Sequence, residues 1–467
     1  MLEFHPLTAA DIPVLQKYMK IFPWYSSDIS IGFLLMNAEE YEIYLTEYND
    51  TLILQETWGD DPMYLYPFGK DPEGAMQAIR EYVTATHEQL VFYAAENELW
   101  DALPKEQERI RGGYDPRWSD YLYNFDDIMT FTGKRYKGQR NHINKFHQLY
   151  GQEDVQELRT EDLPEVRAFL EVYGQEHPDK GLLEERELKH TQILLDILPH
   201  PAFPSYVIRH DGKIIGLSIT EIRHDTLIIH VEKALTAYEG VYPVLFHAVV
   251  NKIAESQAER PLYINREDDS GDPGLHTSKT QYHPLRMVNK YFVHYDSPLY
   301  GAGDQPVLKS DRLVLTTIRE SDSQAYYDLN TDEENNKYWG YDYREDENLP
   351  YPLETSSFWL MQVQDYLFGE NCSFAVRTAE DGEMIGELVL YRFMYTGEVE
   401  IGCRITPACQ GHGYGSEAFK LGVDYVRNVW KRIPTARCYK ENIRSRKMIE
   451  ASGLKLYKED DTFLYYR

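Results

Sequence analysis

The chain has 467 residues, which is too long for one ordinary hydrophobic core and predicts about three domains. A net charge of −29 would repel nucleic acid and anionic membranes, and it either attracts cationic substrates or only keeps the protein in solution. No apolar stretch could cross a bilayer, no secretory signal is visible, and the four cysteines form no CxxC pair, so we expect a reduced, cytoplasmic protein without a structural metal site.

A short motif recurs three times, at residues 7–13, 158–164 and 318–323. In each copy an Asp stands four residues after an apolar residue, and an amphipathic helical pattern follows. These aspartates are Asp11, Asp162 and Asp322. A carboxylate in that place is typical of the start of a helix, where it meets the positive end of the helix dipole. The spacing predicts an α/β fold with mixed sheets, built from three copies of one unit at residues 1–150, 151–300 and 305–467.

Hairpin signals accompany two of the three copies. Asp211-Gly212 and Asp381-Gly382 each separate two apolar runs, which predicts a tight turn between antiparallel strands. The first copy has a weaker version at Asn49-Asp50. The hairpins support the threefold repeat.

A basic block lies in the most acidic part of the chain. Five of the twelve residues from Lys134 to Lys145 are basic, and Arg140 and Asn141 lie inside this block. One interpretation is a solvated helix face. The other is a pocket for phosphate or carboxylate, with Arg140 as a planar fork and Lys134 as a point charge.

Two further blocks follow, at residues 230–240 and 264–284. Asn265 and Arg266 end a predicted strand, where they could line a ligand crevice or form a structural ion-pair network. With the basic block, these segments make residues 1–300 similar to the cytosolic C-terminal part of phosphatidylglycerol lysyltransferases. That resemblance implies two GNAT-like units side by side and transfer of an aminoacyl group from tRNA. The chain lacks the membrane segments of those enzymes, and its acidity disfavours a long tRNA footprint.

An aromatic and acidic segment occupies residues 338–343 and includes Trp339 and Tyr341. Aromatic rings and carboxylates together suit a cation, so these residues could wall an acceptor pocket. The alternative is a packed surface loop.

The strongest motif is a glycine-rich turn between a predicted strand at 398–405 and a helix that continues to about residue 430. Such a turn presents free N–H groups and the helix dipole to an anion. Its residues are Gln410, Gly411, His412, Gly413, Gly415 and Ser416. The second unit has only Glu239-Gly240 at this place, so we do not expect it to bind CoA in the usual way.

The turn, with Asn442, Ser445 and Gly453-Leu454 downstream, resembles the GNAT acetyltransferases. The resemblance implies that the turn holds the pyrophosphate of acetyl-CoA and that Asn442 bonds its pantetheine arm. It also implies an oxyanion donor among the backbone N–H groups from Cys403 to Ile405, and Ser445 as proton donor to the leaving thiolate. Asn442 and Ser445 could also simply cap the next helix.

Glu400 is the best candidate base, because it lies on the strand beside the expected acceptor. Glu398 shares its face by strand alternation, so both stay possible. Cys403 and Cys409 are not expected to act as nucleophiles, since no Cys-His-acid set is identifiable and the resembled family uses direct attack.

The sequence therefore predicts an acetyl-CoA-dependent N-acetyltransferase in the third unit, acting on a small amine or on a protein amine. The first two units form a module of unknown role. The alternatives are a non-catalytic protein that senses a small anion, and an aminoacyl-tRNA-dependent transferase through the N-terminal pair.

Overall fold

The computed structural model describes residues 2–22, 24–58, 61–176, 181–303, 305–346, 349 and 353–467. The first part of the chain forms strands β1 (His5–Pro6), β2 (Tyr44–Tyr48), β3 (Thr51–Trp58), β4 (Asp61–Leu65), β5 (Phe68–Gly69), β6 (Val91–Ala95), β7 (Arg111–Gly113) and β8 (Asp120–Asn124), with helices α1 (Ile12–Met19), α2 (Ile31–Asn37), α3 (Pro72–Thr86), α4 (Asn97–Ala102), α5 (Phe125–Thr130) and α6 (Lys137–Tyr150).

The second part forms strands β9 (Asp154–Glu157), β10 (Ser205–His210), β11 (Lys213–Arg223), β12 (Thr226–Ala234), β13 (Tyr263–Asn265), β14 (Arg286–Val288) and β15 (Tyr291–His294), with helices α7 (Leu163–Glu176), α8 (Gly181–Leu195), α9 (Val241–Ser256) and α10 (Pro273–Thr280).

The third part forms strands β16 (Leu308–Lys309), β17 (Leu313–Thr317), β18 (Cys372–Thr378), β19 (Met384–Phe393), β20 (Glu398–Ile405), β21 (Ile433–Tyr439), β22 (Leu456–Glu459) and β23 (Phe463–Tyr466), with helices α11 (Ser323–Thr331), α12 (Glu333–Asn336), α13 (Ser357–Phe368), α14 (Tyr414–Tyr425) and α15 (Ile443–Ala451).

Three mixed sheets organise these elements, one for each predicted unit. Their strand orders are β1-β2-β3-β4-β6-β15-β7 with β5 paired to β3, then β14-β8-β13-β12-β11-β10-β9, and finally β16-β17-β18-β19-β20-β21-β23-β22. The prediction of three GNAT-like α/β units is confirmed.

The first two sheets exchange strands. β8 precedes residue 150 but pairs with β13 and β14 in the second sheet, whereas β15 follows it and pairs with β6 and β7 in the first. One hydrophobic cluster also spans both units and contains Leu34 and Leu217. The boundary predicted at residue 150 therefore does not coincide with a division between sheets, because strand pairing is set by contacts distant in sequence.

The repeated motif has one structure in all three copies. Each Asp carboxylate accepts a hydrogen bond from the backbone N–H three residues before it, and a helix follows. The distances are 2.9 Å for Asp11, 2.9 Å for Asp162 and 2.7 Å for Asp322. The carboxylate thus closes the turn that leads into α1, α7 or α11.

Candidate active site

The third sheet opens between β20 and β21. The two strands pair in parallel at three positions, Glu398 with Ile433, Val399 with Pro434, and Glu400 with Thr435. Beyond these pairs β20 stays on β19 as far as Ile405, while β21 turns to β23 from Ala436 onward. The separation leaves a gap edged by the backbone of both strands.

Backbone groups of β20 point into this gap at alternate residues. The Ile405 carbonyl accepts a hydrogen bond from Gln410 Nε2 at 2.9 Å, on the side away from β19. The next N–H, that of Thr406, points the other way and donates to the carbonyl of Ile385 in β19 at 2.8 Å. Because successive peptide groups of a strand face opposite edges, the N–H of Cys403 faces the gap, as that of Ile405 does.

The glycine turn lies at the open end of the gap. Gly411 and Gly413 have φ of +84° and +81°, a region that side chains with a Cβ rarely adopt. Gly413 is the N-cap of α14, and no described side chain caps this helix. The first N–H groups of α14 are therefore presented to the turn, together with the positive end of the helix dipole.

Arg312, which was not predicted from the sequence, holds this turn in shape. Arg312 donates to the His412 carbonyl at 3.0 Å and to the Glu417 carboxylate at 2.8 Å. His412 itself does not line the cleft described below. The only sequence signal for Arg312 was a basic residue before β17, which is too common to be informative.

Gln410 and Asn442 hold the two sides of the site in place. Gln410 donates to Asn335 at 2.9 Å, in addition to its bond with Ile405, and its amide oxygen accepts from Arg444 at 2.7 Å. Asn442 caps α15 by accepting from the Ser445 N–H at 3.0 Å. The capping interpretation of Asn442 is therefore confirmed, and its predicted contact with pantetheine stays a prediction.

A cleft of about 2480 Å³ joins the gap, the turn and the aromatic segment. The predicted site residues in its wall are Trp339, Tyr341, Cys403, Ile405, Gln410, Gly411, Gly413, Gly415, Ser416, Asn442 and Ser445. Arg444 and Lys447 also line it, and both are exposed cations that the sequence reading did not select. The residues predicted to bind the cofactor and those predicted to bind the acceptor therefore line one continuous cleft.

Glu400 lies behind this wall rather than in it. Its carboxylate accepts the Tyr391 hydroxyl at 2.9 Å and forms ion pairs with Arg437 at 3.1 Å and Arg392 at 3.3 Å. Those three partners do line the cleft. Glu398 contacts Thr396, His87 and Arg467 instead, so of the two predicted bases only Glu400 is linked to the cleft.

The first unit supplies part of the cleft wall. A bulge in β19 between Tyr391 and Phe393 turns Arg392 toward Asp61 of β4, with a distance of 2.8 Å. Gln89 accepts from the backbone N–H of Phe393 at 3.1 Å. Asp61, Gln89 and His294 all line the cleft, and no local motif could have predicted that.

The basic block lies outside the cleft and resembles a solvated face. Lys134 and Asn141 are exposed, and Arg135 pairs with Asp127 at 2.5 Å. Arg140 donates to the backbone carbonyls of Phe131 and Gly133. The guanidinium therefore caps the end of α5, which leaves less of its fork for an anion.

Asn265 and Arg266 belong to a buried polar network of the second sheet. Asn265 donates to Asp120 at 2.8 Å, and Arg266 pairs with Glu232 at 2.8 Å. Lys290 joins the network at Asp120, at 2.7 Å, and at Asp28. These contacts fit the structural ion-pair interpretation, but Arg266 Nη1 and Glu232 Oε2 are buried without a hydrogen-bond partner among the described residues, so the ligand crevice stays a prediction.

His230 in this network makes stability depend on pH. Burial disfavours its charged form, but hydrogen bonds to Glu221 and Glu267 outweigh burial and raise the pKa of His230 to about 9 from an ordinary 6.5. The folded state therefore binds a proton more tightly than the unfolded state. This stabilisation is complete below pH 6.5 and is lost as the pH rises through about 9.

We expect the free energy of unfolding to fall by about 3 kcal/mol across that window, from the size of the shift. Urea unfolding at a series of pH values would measure it in the wild type and in His230→Asn. The exposed His224→Asn is the control and should keep the wild-type slope. An identical slope in all three proteins would contradict the assignment.

Fold and cleft place the molecule among the acyltransferases built on the GNAT fold. The chain belongs to the family described as phosphatidylglycerol lysyltransferase, C-terminal, whose model matches residues 19–294. A second model, described as acetyltransferase (GNAT) domain, matches residues 312–455. Both families are acyltransferase families, and the resemblances drawn from the sequence are confirmed.

Similar proteins are distant in sequence. A conserved protein of unknown function from Bacteroides thetaiotaomicron is 23% identical and has a TM-score of 0.57, over 63% of this chain and 100% of that one. The structure of L-PGS from Bacillus licheniformis is 17% identical with a TM-score of 0.44, over 61% of this chain and 91% of that one. An uncharacterised protein of Mycoplasmoides gallisepticum is 23% identical over 38% of this chain, and the match spans 56% of that relative's length.

None of the helices in the described part of the chain has the length and apolar character needed to span a bilayer.

Proposed function

We propose that the third unit transfers the acetyl group of acetyl-CoA to a primary amine. The observation that supports this best is the glycine turn at the open end of the β20–β21 gap. The turn offers the uncapped N–H groups of α14, and Arg444 and Lys447 add positive charge to the same cleft. A Cβ on Gly411 would meet open space, so a diphosphate has room to approach the backbone there.

The residues around the gap suit acyl transfer. When bound, acetyl-CoA supplies an activated acetyl thioester. The Cys403 N–H would stabilise the carbonyl oxygen as it gains negative charge. Ser445 would donate its hydroxyl proton to the leaving sulfur. Cys403 has no part as a nucleophile, because burial raises the pKa of its thiol to about 12.

Removal of the amine proton is assigned to Tyr391 and Glu400 together. Glu400 does not line the cleft, but Tyr391 does, and its hydroxyl donates to Glu400. A proton leaving the ammonium would bond to the Tyr391 oxygen while the hydroxyl proton passes to the Glu400 carboxylate. Burial, with the charge of Glu400 beside it, raises the pKa of Tyr391 well above its usual range, so the hydroxyl stays neutral between transfers.

Tyr391→Phe and Glu400→Gln should therefore have the same effect. Each is expected to lower kcat roughly 10²-fold, most strongly in acid where the amine is charged, with acetyl-CoA affinity retained. Steady-state rates and calorimetric Kd values would test this. Glu398→Gln changes the neighbouring carboxylate on the same strand face and should keep kcat. Loss of rate in Glu398→Gln alone would assign the base to Glu398.

The proposed activity is tested directly with the wild-type protein. Acetyl-CoA should bind with a single site per chain by calorimetry, and a panel of amines should release free CoA thiol in its presence. Absence of both binding and thiol release would contradict the proposal. Binding without release for any amine would instead favour the sensing function considered from the sequence.

The acceptor is a small amine or a protein amine, and the net charge of −29 favours a cationic one. The four cysteines are free, which fits the reducing cytoplasm where acetyl-CoA is available.

A further inference from the structure

Three carboxylates of the cleft wall form ion pairs with an arginine. Asp61 pairs with Arg392, Asp115 with Arg117, and Glu387 with Arg404, at 2.8, 2.6 and 2.7 Å. Among the other carboxylates of the cleft wall, two stand at the end of α13. Asp365 and Glu370 line the cleft, and neither forms a salt bridge with a basic side chain in the described ranges.

Asp365 and Glu370 are both partly buried and belong to one hydrogen-bonded turn at the end of α13. The backbone carbonyl of Asp365 accepts the N–H of Glu370 at 2.9 Å, and Asn371 and Gln362 donate to the Asp365 side chain. Burial raises the pKa of Asp365 to about 7, and burial with the charge of Asp365 raises the pKa of Glu370 well above its usual range. Two acids so placed gain most from a cation brought between them.

Four residues of the cleft wall, Trp118, His294, Asn335 and Ser373, carry a buried polar atom without a hydrogen-bond partner among the described residues, and His294 and Ser373 supply acceptors. The Ser373 side chain is only 3% exposed and His294 only 8%, and both line the cleft. Ser373 Oγ and His294 Nε2 have no hydrogen-bond partner among the described residues. A buried polar atom without a partner is costly, so both sites are better explained if a bound group supplies one.

Ser373 and His294 belong to strands β18 and β15, which both pack against α13. Ser373 follows Glu370 by three residues, at the start of β18. On the first sheet, Arg111 of β7 lies opposite His294 of β15 in the strand register. The Arg111 side chain donates to the Leu367 carbonyl of α13 at 2.8 Å. The unpaired acids therefore lie between a strand of the third unit and a strand of the first.

The strand register connects this place to the gap. Ser373 lies opposite Val389, and Val389 lies opposite Gly402, so the three side-chain positions form one row across the sheet. Two strand spacings separate Ser373 from Gly402, which is on the order of 10 Å. Gly402 precedes Cys403, whose N–H faces the gap.

A metal ion is a poor explanation of these acids. No group of three or more His, Cys, Asp or Glu side chains in the described part of the chain has the arrangement of a metal site. An organic ammonium needs no fixed ligand geometry, and its three N–H groups can donate to carboxylate, hydroxyl and imidazole acceptors.

We propose that Asp365 and Glu370, with Ser373 and His294 beside them, bind a second cationic group of the acceptor, so that the preferred acceptor is a diamine whose two nitrogens span the distance from the gap to α13. The proposal rests on the proposed acetyl transfer and adds a substrate class to it. It also makes the acceptor pocket a joint product of the first and third units.

The test compares α,ω-diaminoalkanes of increasing length with the n-alkylamine of the same carbon number. In the wild type, a diamine of suitable length should have a KM about tenfold or more below that of its monoamine, the effect of one buried charge-assisted contact. Glu370→Gln and Ser373→Ala should remove this preference and leave the monoamine KM and the acetyl-CoA Kd unchanged. Glu380→Gln is the control, since Glu380 is exposed and outside the cleft wall.

The outcomes separate this inference from the activity on which it rests. Equal KM values for diamine and monoamine, with both acetylated, would overturn the subsite and leave the acetyltransferase standing. If no amine is acetylated, calorimetry of the diamine against wild type and Glu370→Gln still decides. Diamine binding that is lost in Glu370→Gln would support the subsite, and equal or absent binding would overturn it. Melting temperatures of each variant check that the chain is folded.

Discussion

Lys290→Met is expected to lower the free energy of unfolding by about 3–5 kcal/mol, because it leaves buried carboxylates without the cation that neutralises them. The Lys290 ammonium is buried and contacts Asp120 at 2.7 Å, Asp268 at 3.4 Å and Asp28. Methionine keeps most of the length and apolar volume of the side chain, so the loss would report the missing charge. Urea or thermal unfolding of the full chain measures it.

The dependence of that loss on pH identifies its cause. Burial already raises the pKa of Asp28 to about 7 against the opposing effect of Lys290, and removal of the lysine raises it further. The folded variant then binds protons more readily than the unfolded chain, so its deficit should shrink in acid. Lys252→Met, at an exposed site with a 4.0 Å contact to Glu255, should change stability little at any pH. A deficit that ignores pH would indicate a packing defect instead.

Gly413→Val should remove acetyl-CoA binding. Gly413 has φ of +81°, which a β-branched residue resists, so the turn must change shape and withdraw the N–H groups of α14. Losing two charge-assisted hydrogen bonds to a phosphate corresponds to about 3–6 kcal/mol, or about 10²–10⁴-fold in Kd. Calorimetry with acetyl-CoA would measure the change.

A second glycine in the same unit provides the matched control. Gly382 has φ of +76° in the β18–β19 turn, has open space around it and lies outside the cleft wall. Gly382→Val introduces similar backbone strain without touching the glycine turn. Similar melting temperatures with different acetyl-CoA affinities would support the phosphate-turn assignment, and unchanged affinity in Gly413→Val would refute it.

Local patterns in the sequence were sufficient for the parts of the molecule that depend on neighbours in the chain. The Asp211-Gly212 turn lies between β10 and β11 with φ of 49° and 77°, as an Asp-Gly hairpin requires. The strand, glycine turn and helix from β20 to α14 are also local. Their residue types predict the backbone conformation and the free N–H groups without knowledge of the tertiary structure.

Contacts between distant segments could not be read in this way. Arg392 is 331 residues from Asp61, yet the pair helps to fix Glu400 behind the cleft wall. No local motif marks Asp365 and Glu370, and only the packing of α13 against β7 and β15 brings them to the cleft wall beside the first sheet. The first two units were correctly counted, but their strand exchange follows from pairing energies that no single segment encodes.

The strand exchange has a consequence for synthesis on the ribosome. In the second sheet, β8 cannot pair with β13 and β14 until both strands have emerged from the ribosome. The first sheet lacks β15 until residue 294 has emerged. The nascent chain must therefore carry two unfinished sheets with open edges from the synthesis of β8 until residue 294 has emerged. A truncation at residue 150 would leave those edges permanently exposed, so residues 1–150 or 151–300 expressed alone should aggregate. A cut near residue 304 instead leaves both N-terminal sheets complete.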